Sequence, residues 1–488
     1  MSKPNVLMIT VDHWPGKLLG IAGHPVVQTP TLDDLARAGV RFPNATTECP
    51  ICIPARRSLM LGTSPRGHGD RVYNERSPMP TGTLAETFSA AGYQTFAVGK
   101  LHVFPQRNRI GFDDVLLDEE GRAQYGVTDD YELFLGDQGY VGQQFDHGMC
   151  TDGYVHRPWH LPERLHVTNW ATQGMIRQIK RRDPTRPNFW YLSYRHPHPP
   201  LVPLQCYLDM YRDVEMDPPF AGDWYDEELP WMVASKRKRN EKHSAMQIAN
   251  IRRAFYALCT HIDHQLRCVI GTLREERLLD DTIILFTADH GDTLGDHGLW
   301  AKASFYEGSC NVPMILVPTR GDTSIGAGVA DDRLVTLSDV MPTLLGMTGI
   351  PVPSTCNGLS MVEEARRSTL YAEYGTDDTA SRMIRNERYK LIYYPVGNTF
   401  QLFDLKKDPK ELQNLAHSAE HEDIRAELTA RLSSELYGDD VEWLRDGKFV
   451  GFPNRPANPR INRDLSSQRG HHWPPQPASD LTQALYSV

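Results

Sequence analysis

Three short apolar runs organise the larger part of the chain. Asn5–Val11 (NVLMITV), Phe189–Tyr194 and Thr282–Ala288 (TIILFTA) are aliphatic, β-branched or aromatic almost throughout. Each gives way to polar residues at its C-terminal end: Asp12, a His/Pro cluster, and Asp289-His290-Gly291. Unbroken runs of this length predict strands buried on both faces, as in a parallel sheet covered by helices. Ligands of such sheets bind at the carboxyl edge of the strands, so the three polar ends nominate one site. Ile248, Ile251, Phe255, Leu258, Ile262, Leu266, Val269 and Leu273 recur at steps of three or four and predict an amphipathic helix. Thr31–Ala38 and Thr83–Ala91 predict shorter helices, the second closed by Gly92.

The texture changes near residue 365. The expected architecture is α/β over 1–365, with a mixed, mostly parallel sheet sandwiched by helices. A smaller α+β domain with a short antiparallel sheet is expected over 366–440. Its predicted strands are Arg385–Tyr394 and Thr399–Leu405, and its predicted helix is Glu420–Leu436. Residues 441–488 are rich in Pro and Arg without periodicity and read as a tail. Phe449, Phe452 and Trp473 would let that tail dock on a neighbouring subunit, in a homodimer or tetramer.

Composition narrows the function. With 488 residues, 40% hydrophobic and 23% charged, the chain is globular rather than disordered. Its net charge of −10 argues against a nucleic-acid binder. No apolar run approaches the roughly 18–20 residues that span a bilayer, and the first residues lack a signal peptide's apolar core. A cytoplasmic protein is expected. The eight cysteines lack the dense spacing of a disulfide scaffold. Cys49 and Cys52 form a close pair, but no second pair follows at zinc-ribbon spacing.

The segment Cys52-Ile53-Pro54-Ala55-Arg56-Arg57-Ser58-Leu59-Met60-Leu61-Gly62 predicts a short helix with Cys52 just before it. A helix N-terminus stabilises an anionic nucleophile or substrate; the alternative is a buried structural thiol. C-x-P-[SA]-R followed by Gly resembles the signature of the type I sulfatases of the alkaline phosphatase superfamily. Further segments resemble that family in its order: Asn5–Asp12, Gly92–His102 (with Leu101 where the family has Trp), Ser193–Pro203, Ala288–Glu307, Thr336–Leu345 and Gln401–Leu415.

The resemblance implies a sulfuric ester hydrolase whose Cys52 is oxidised to formylglycine, with a formylglycine-generating enzyme or an equivalent as maturation partner. It implies one divalent cation on Asp12, Asp289, His290 and the residue at 52, with Ca²⁺ expected and Mn²⁺ or Mg²⁺ as alternatives. Arg56 and Lys100 would hold the nucleophile, and His102 would act as base for sulfate release. His198 and Lys302 would contact sulfate and protonate the leaving alcohol. Asn74, in RVYNER, resembles an active-site asparagine. The family carries an acidic residue or Gln after its first aspartate, whereas this chain carries His13, an imidazole that can coordinate the metal and favour Mn²⁺ or point away.

The substrate is expected to be a small aryl or alkyl sulfate. Trp159, Trp170, Trp224 and Trp231 could cage a quaternary ammonium such as choline sulfate, although packing is the commoner fate of such residues. Lys236–Arg239 could attract a sulfated glycan, or form a solvated surface run. Phosphonate monoester or phosphodiester hydrolysis is the competing chemistry. A non-catalytic relative is the outcome if Cys52 stays unconverted.

Overall fold

The structure, a computed structural model, describes residues 3–120, 128–149, 153–226, 229–239 and 243–457. In chain order its first strands are β1 (Asn5–Val11), β2 (Val40–Arg41), β3 (Ala45–Thr46), β4 (Gln94–Gly99) and β5 (Asp114–Leu117). They are followed by β6 (Asn188–Tyr194), β7 (Thr282–Ala288), β8 (Met314–Val317), β9 (Val329–Ala330) and β10 (Val335–Thr336). The main sheet runs β5-β4-β6-β1-β7-β8-β2-β9. From β5 to β7 every pairing is parallel, and β8 runs antiparallel to both neighbours. β3 and β10 form a separate parallel pair.

The three central runs are buried at every position, as continuous apolar strands require. Register then places their ends level. Val11 pairs with Tyr194 and Ala288, and Gly99 pairs with Ser193 and Leu117. Asp12, Lys100, Asp118, Arg195 and Asp289 therefore leave the sheet along one edge.

The predicted amphipathic helix spans Ala245–Glu275 and buries Ile251, Phe255, Leu258, Ile262, Leu266, Val269 and Leu273. Ser244 and Gln247 form its capping box. The shorter helices are Pro30–Ala38 and Leu84–Ala90, the latter capped by Thr83 and Glu86 and followed by Gly92 at φ 90°. No helix among the described residues is long and apolar enough to cross a membrane.

A four-stranded antiparallel sheet follows: β11 (Leu370–Tyr374), β12 (Ser381–Arg385), β13 (Tyr389–Tyr394) and β14 (Thr399–Asp404). The strand expected over Arg385–Tyr394 begins only at Tyr389, because Asn386 turns the chain after β12. Its Oδ1 accepts the N–H groups of Arg388 and Tyr389 at 2.9 and 2.7 Å. The helix packed on this sheet spans Glu422–Glu435.

The tail expected from residue 441 is ordered at its start. Trp443 is buried, and β15 (Leu444–Arg445) pairs with β16 (Lys448–Phe449). Phe449 packs on Tyr393 with ring centroids 4.4 Å apart, and Phe452 bridges to Val396. These two aromatics pack on the chain's own small sheet. Trp473 lies outside the described residues.

Candidate active site

The helix Cys52–Leu61 is wholly buried, with Ile51 at its N-cap and Gly62 at φ 61° closing it. Cys52 is thus its first residue rather than the one before it. The polar strand ends converge on its Sγ. Lys302 Nζ lies 2.7 Å from that sulfur, His290 Nε2 3.3 Å and Asp12 Oδ1 3.9 Å. Cys49 points elsewhere, towards the Arg71 carbonyl oxygen, so the two cysteines share no site.

Arg56, one turn along the helix, donates to Asp289 Oδ2 (3.0 Å), Ser193 Oγ (2.9 Å) and the Lys100 carbonyl oxygen (3.0 Å). Lys100 Nζ is shared between Asp12 Oδ2 at 2.5 Å and Glu120 Oε1 at 2.6 Å. Burial opposes ionisation of Asp12, but the cations Lys100, Lys302 and Arg56 outweigh it and hold the carboxyl well below its usual range. Burial likewise opposes the Lys100 ammonium, and Asp12 and Glu120 hold it charged.

Two overlapping sets of donors lie close enough to grip one ion: Asp12, Cys52, Asp289 and His290, and Asp12, His13 and His198. Burial lowers the pKa of all three histidines, so each offers a neutral ring. Their Nδ1 atoms face acceptors: Asp292 Oδ2 at 2.8 Å for His13, the Pro199 carbonyl oxygen at 2.6 Å for His198, and the Gly291 carbonyl oxygen at 3.0 Å for His290. Nδ1 therefore carries the proton in each, leaving Nε2 as the lone pair. His13 Nε2 lies 2.8 Å from Lys302 Nζ. Two carboxylates, two imidazoles and the residue at 52 fit a divalent cation.

His196, two residues from His198, faces away and packs on His166 with ring centroids 5.3 Å apart. His102 Nε2 meets the Tyr73 hydroxyl at 3.1 Å. Asn74 is not brought to the cluster: it is exposed, and its Oδ1 accepts the Arg76 N–H at 3.0 Å. The adjacent Tyr73 makes the contact instead.

Sequence reasoning passed over Tyr73, Asp292, Glu119 and Glu120. The run VLLDEE carries the signal that was available, an apolar strand ending in acids like the other strands of this edge. Burial pushes the Glu119 carboxyl up to about 8. Several non-glycine residues here hold left-handed backbone: His13, His102, Glu120, Ala301 and Ala303, at φ 60–68°. Such strain, about 1–3 kcal/mol each, persists where surrounding contacts over-determine it.

The aromatic cage does not form. Trp159 packs on His166, Trp170 on Tyr131, Trp224 stacks on His297 and Tyr306, and Trp231 lies under Arg455. In the basic run, Lys236 Nζ bonds the Lys302 carbonyl oxygen and Arg237 lies over Tyr225, so these two side chains brace the site.

A mainly parallel sheet with a buried cysteine, cations and grouped carboxylates and imidazoles at its carboxyl edge is an alkaline-phosphatase-like fold. The sulfatase family profile matches residues 4–350, and that of the N-sulphoglucosamine sulphohydrolase C-terminal region matches 295–437. The chain is 36% identical over 474 residues to an arylsulfatase of Clostridium perfringens, covering 92% of this chain and 98% of that one. It is 32% identical to a choline-sulfatase of Rhizobium meliloti, covering 88% and 85%. In fold it is similar to the phosphonate monoester hydrolase of Agrobacterium radiobacter, with TM-score 0.74, 24% identity and coverage of 93% and 100%. The chain belongs to the sulfatase family and is a sulfate-ester hydrolase.

Proposed function

We propose that the chain cleaves aryl or small alkyl sulfate monoesters with a formylglycine made from Cys52 by an oxidising maturation enzyme. The observation that carries this reading is the placement of Cys52: first residue of a buried helix, with Lys302, His290 and Asp12 around its sulfur. The helix N-terminus favours negative charge there. One hydroxyl of the hydrated aldehyde would attack sulfur, and loss of the proton from the second would re-form the carbonyl and expel sulfate with the first oxygen.

Asp12, His13, Asp289 and His290 would hold the cation, whose chemistry there is Lewis-acid activation and templating of sulfate. The carboxylates suit Ca²⁺ or Mg²⁺, and the two imidazoles tilt the set towards Mn²⁺. Arg56 fixes Asp289 and the turn that carries Lys100. Lys302 and His198 would contact the sulfate oxygens and the bridging oxygen, and one of them would protonate the departing alcohol. His102, its pKa driven well below the usual value by burial and then by Lys100, is neutral and able to accept a proton. Retention of the Lys100–His102 pair favours sulfate over phosphonate esters. The seven described cysteines, all free thiols, fit a reducing cytoplasm.

The test compares kcat/KM for an aryl sulfate and an aryl phosphonate monoester. It uses protein whose Cys52 peptide has the mass of formylglycine, with Cys52→Ala as control. Sulfate preferred, and lost in the variant, is the expected result. Phosphonate preferred would overturn the substrate class, and activity surviving in Cys52→Ala would overturn the nucleophile.

A further inference from the structure

Behind the Lys100–His102 turn, β5 delivers three consecutive buried acids that the chemistry above does not consume, Asp118, Glu119 and Glu120. Asp118 pairs with Arg195 at 3.3 Å and Glu120 with Lys100. Glu119 is different, since its partner is backbone. Its Oε1 accepts the N–H of Leu101 at 3.0 Å and the N–H of His102 at 2.6 Å. Its own N–H is tied to Asp129 Oδ2 at 2.8 Å, so the acid is itself braced.

The two N–H groups need such an acceptor because the chain leaves β4 here. Lys100 N–H still bonds the Ser193 carbonyl oxygen, but the next two amides turn off the ladder. His102 then sits at φ 61°, a conformation that a histidine rarely adopts unaided. One oxygen receiving two successive amides holds that conformation and so sets the direction of the His102 side chain.

We propose that Glu119 is a positioning residue for His102: its single carboxyl oxygen clamps the Leu101 and His102 amides and thereby aims the imidazole at the reaction centre. The inference rests on the function proposed above, in which His102 serves sulfate release. The role belongs to an oxygen acceptor rather than to a charge, so an amide can replace the acid.

Two variants separate acceptor from charge. Glu119→Gln keeps the acceptor and is expected to hold kcat within about threefold of wild type, whereas Glu119→Met keeps the length without the acceptor. A misaimed base should then lower kcat by about 10–100-fold, with KM falling alongside it and kcat/KM little changed, because the steps up to departure of the alcohol are untouched. With an aryl sulfate the methionine variant should show a first-turnover burst of phenol ahead of slow steady release. The slowed step follows departure of the alcohol. Hydrogen exchange of the Leu101–His102 amides reads the clamp without turnover: slow in wild type and Glu119→Gln, fast in Glu119→Met. Should the methionine variant not fold, Glu119→Asp keeps the carboxyl group but withdraws its oxygen, and is expected to show the same fall in kcat. Unchanged kcat in both Met and Asp variants, a Gln variant as slow as Met, or equal amide exchange in all would overturn the inference. A wild-type enzyme idle on sulfate esters overturns the functional reading instead, and the exchange comparison still decides the clamp.

Discussion

His13 Nδ1 lies 2.8 Å from Asp292 Oδ2, and both side chains are buried. The Tyr154 hydroxyl donates to the same oxygen, while Asp292 Oδ1 accepts the N–H groups of Leu294 and Ala301 at 2.9 and 3.1 Å. Asp292 is thus anchored on one oxygen and orients His13 with the other. In Asp292→Asn the anchored atom would stay oxygen, so the amide NH₂ would face Nδ1 and drive the imidazole proton to Nε2. Metal affinity should fall about 10–100-fold with the fold intact. Metal content after dialysis against a competing chelator checks this, and equal retention by variant and wild type would remove His13 from the ligand set.

His198 and His196 make a matched pair for mutagenesis. His198 packs against His13 with ring centroids 4.3 Å apart, while His196 Nε2 is buried away from the cluster with no hydrogen-bond partner among the described residues. His198→Gln should lower kcat/KM by about 100-fold or more. His196→Gln should leave kcat within a fewfold and register in thermal stability. Steady-state kinetics and melting curves on both variants test the assignment, and the reverse pattern would transfer the role to His196.

Gly99 has φ 106°, and a Cβ there would come within 1.9 Å of the Ser193 carbonyl oxygen. That oxygen also receives the Lys100 N–H. Gly99→Ala should force β4 from β6 just before Lys100, combining a backbone clash with about 1–3 kcal/mol of conformational strain. The expected outcome is a lowered melting temperature and near-total loss of activity in any soluble fraction. A variant with wild-type activity would show that this edge yields more than its geometry allows.

Glu48 supplies the pH dependence. It is buried, accepts from Ser338 Oγ and the Leu337 N–H, and burial raises its carboxyl to about 7. A raised acid binds its proton more tightly folded than unfolded. Its contribution is therefore fully present below the unfolded value near 4.5 and is lost as pH rises through about 7. Glu48→Gln cannot lose that proton. Its urea midpoint should gain on wild type from pH 5 to pH 8, by roughly 1 kcal/mol per pH unit across the window. A difference independent of pH would mean that Glu48 is ionised in the fold.

The main sheet was legible because its central strands are apolar on both faces, and the site was legible because each strand ends in the residues that do chemistry. Asp12, the His/Pro cluster and Asp289-His290 followed from that edge, and Cys52 from the helix signal around Pro54 and Gly62, whereas Arg56 and Lys100 were reached only through the family resemblance. Asn74 failed because an asparagine in a loop is also a turn former, and here the turn prevailed. Glu119 and Asp292 were hidden for another reason: their roles depend on which backbone amide or ring nitrogen they meet, and sequence spacing does not report that. The turn at Asn386 was missed because its Oδ1 contacts to the Arg388 and Tyr389 amides do not show in residue spacing, so the expected strand starts at Arg385 instead of Tyr389.

Lys390, on β13, is buried between Glu307 (2.8 Å) and Glu411 (2.6 Å), and it also donates to the Phe305 carbonyl oxygen at 2.7 Å. Phe305 and Glu307 lie just after Lys302 in the chain, so the small sheet grips the far end of the loop that presents that lysine to Cys52. Cutting the chain ahead of β11 would strip Glu307 of Lys390 and Arg385, leaving Lys17 at 3.8 Å, and hold the lysine loop at one end only. The small sheet is in this sense a splint for the catalytic apparatus, and a fragment trimmed to the larger α/β unit should be a poor sulfatase even if it stays in solution.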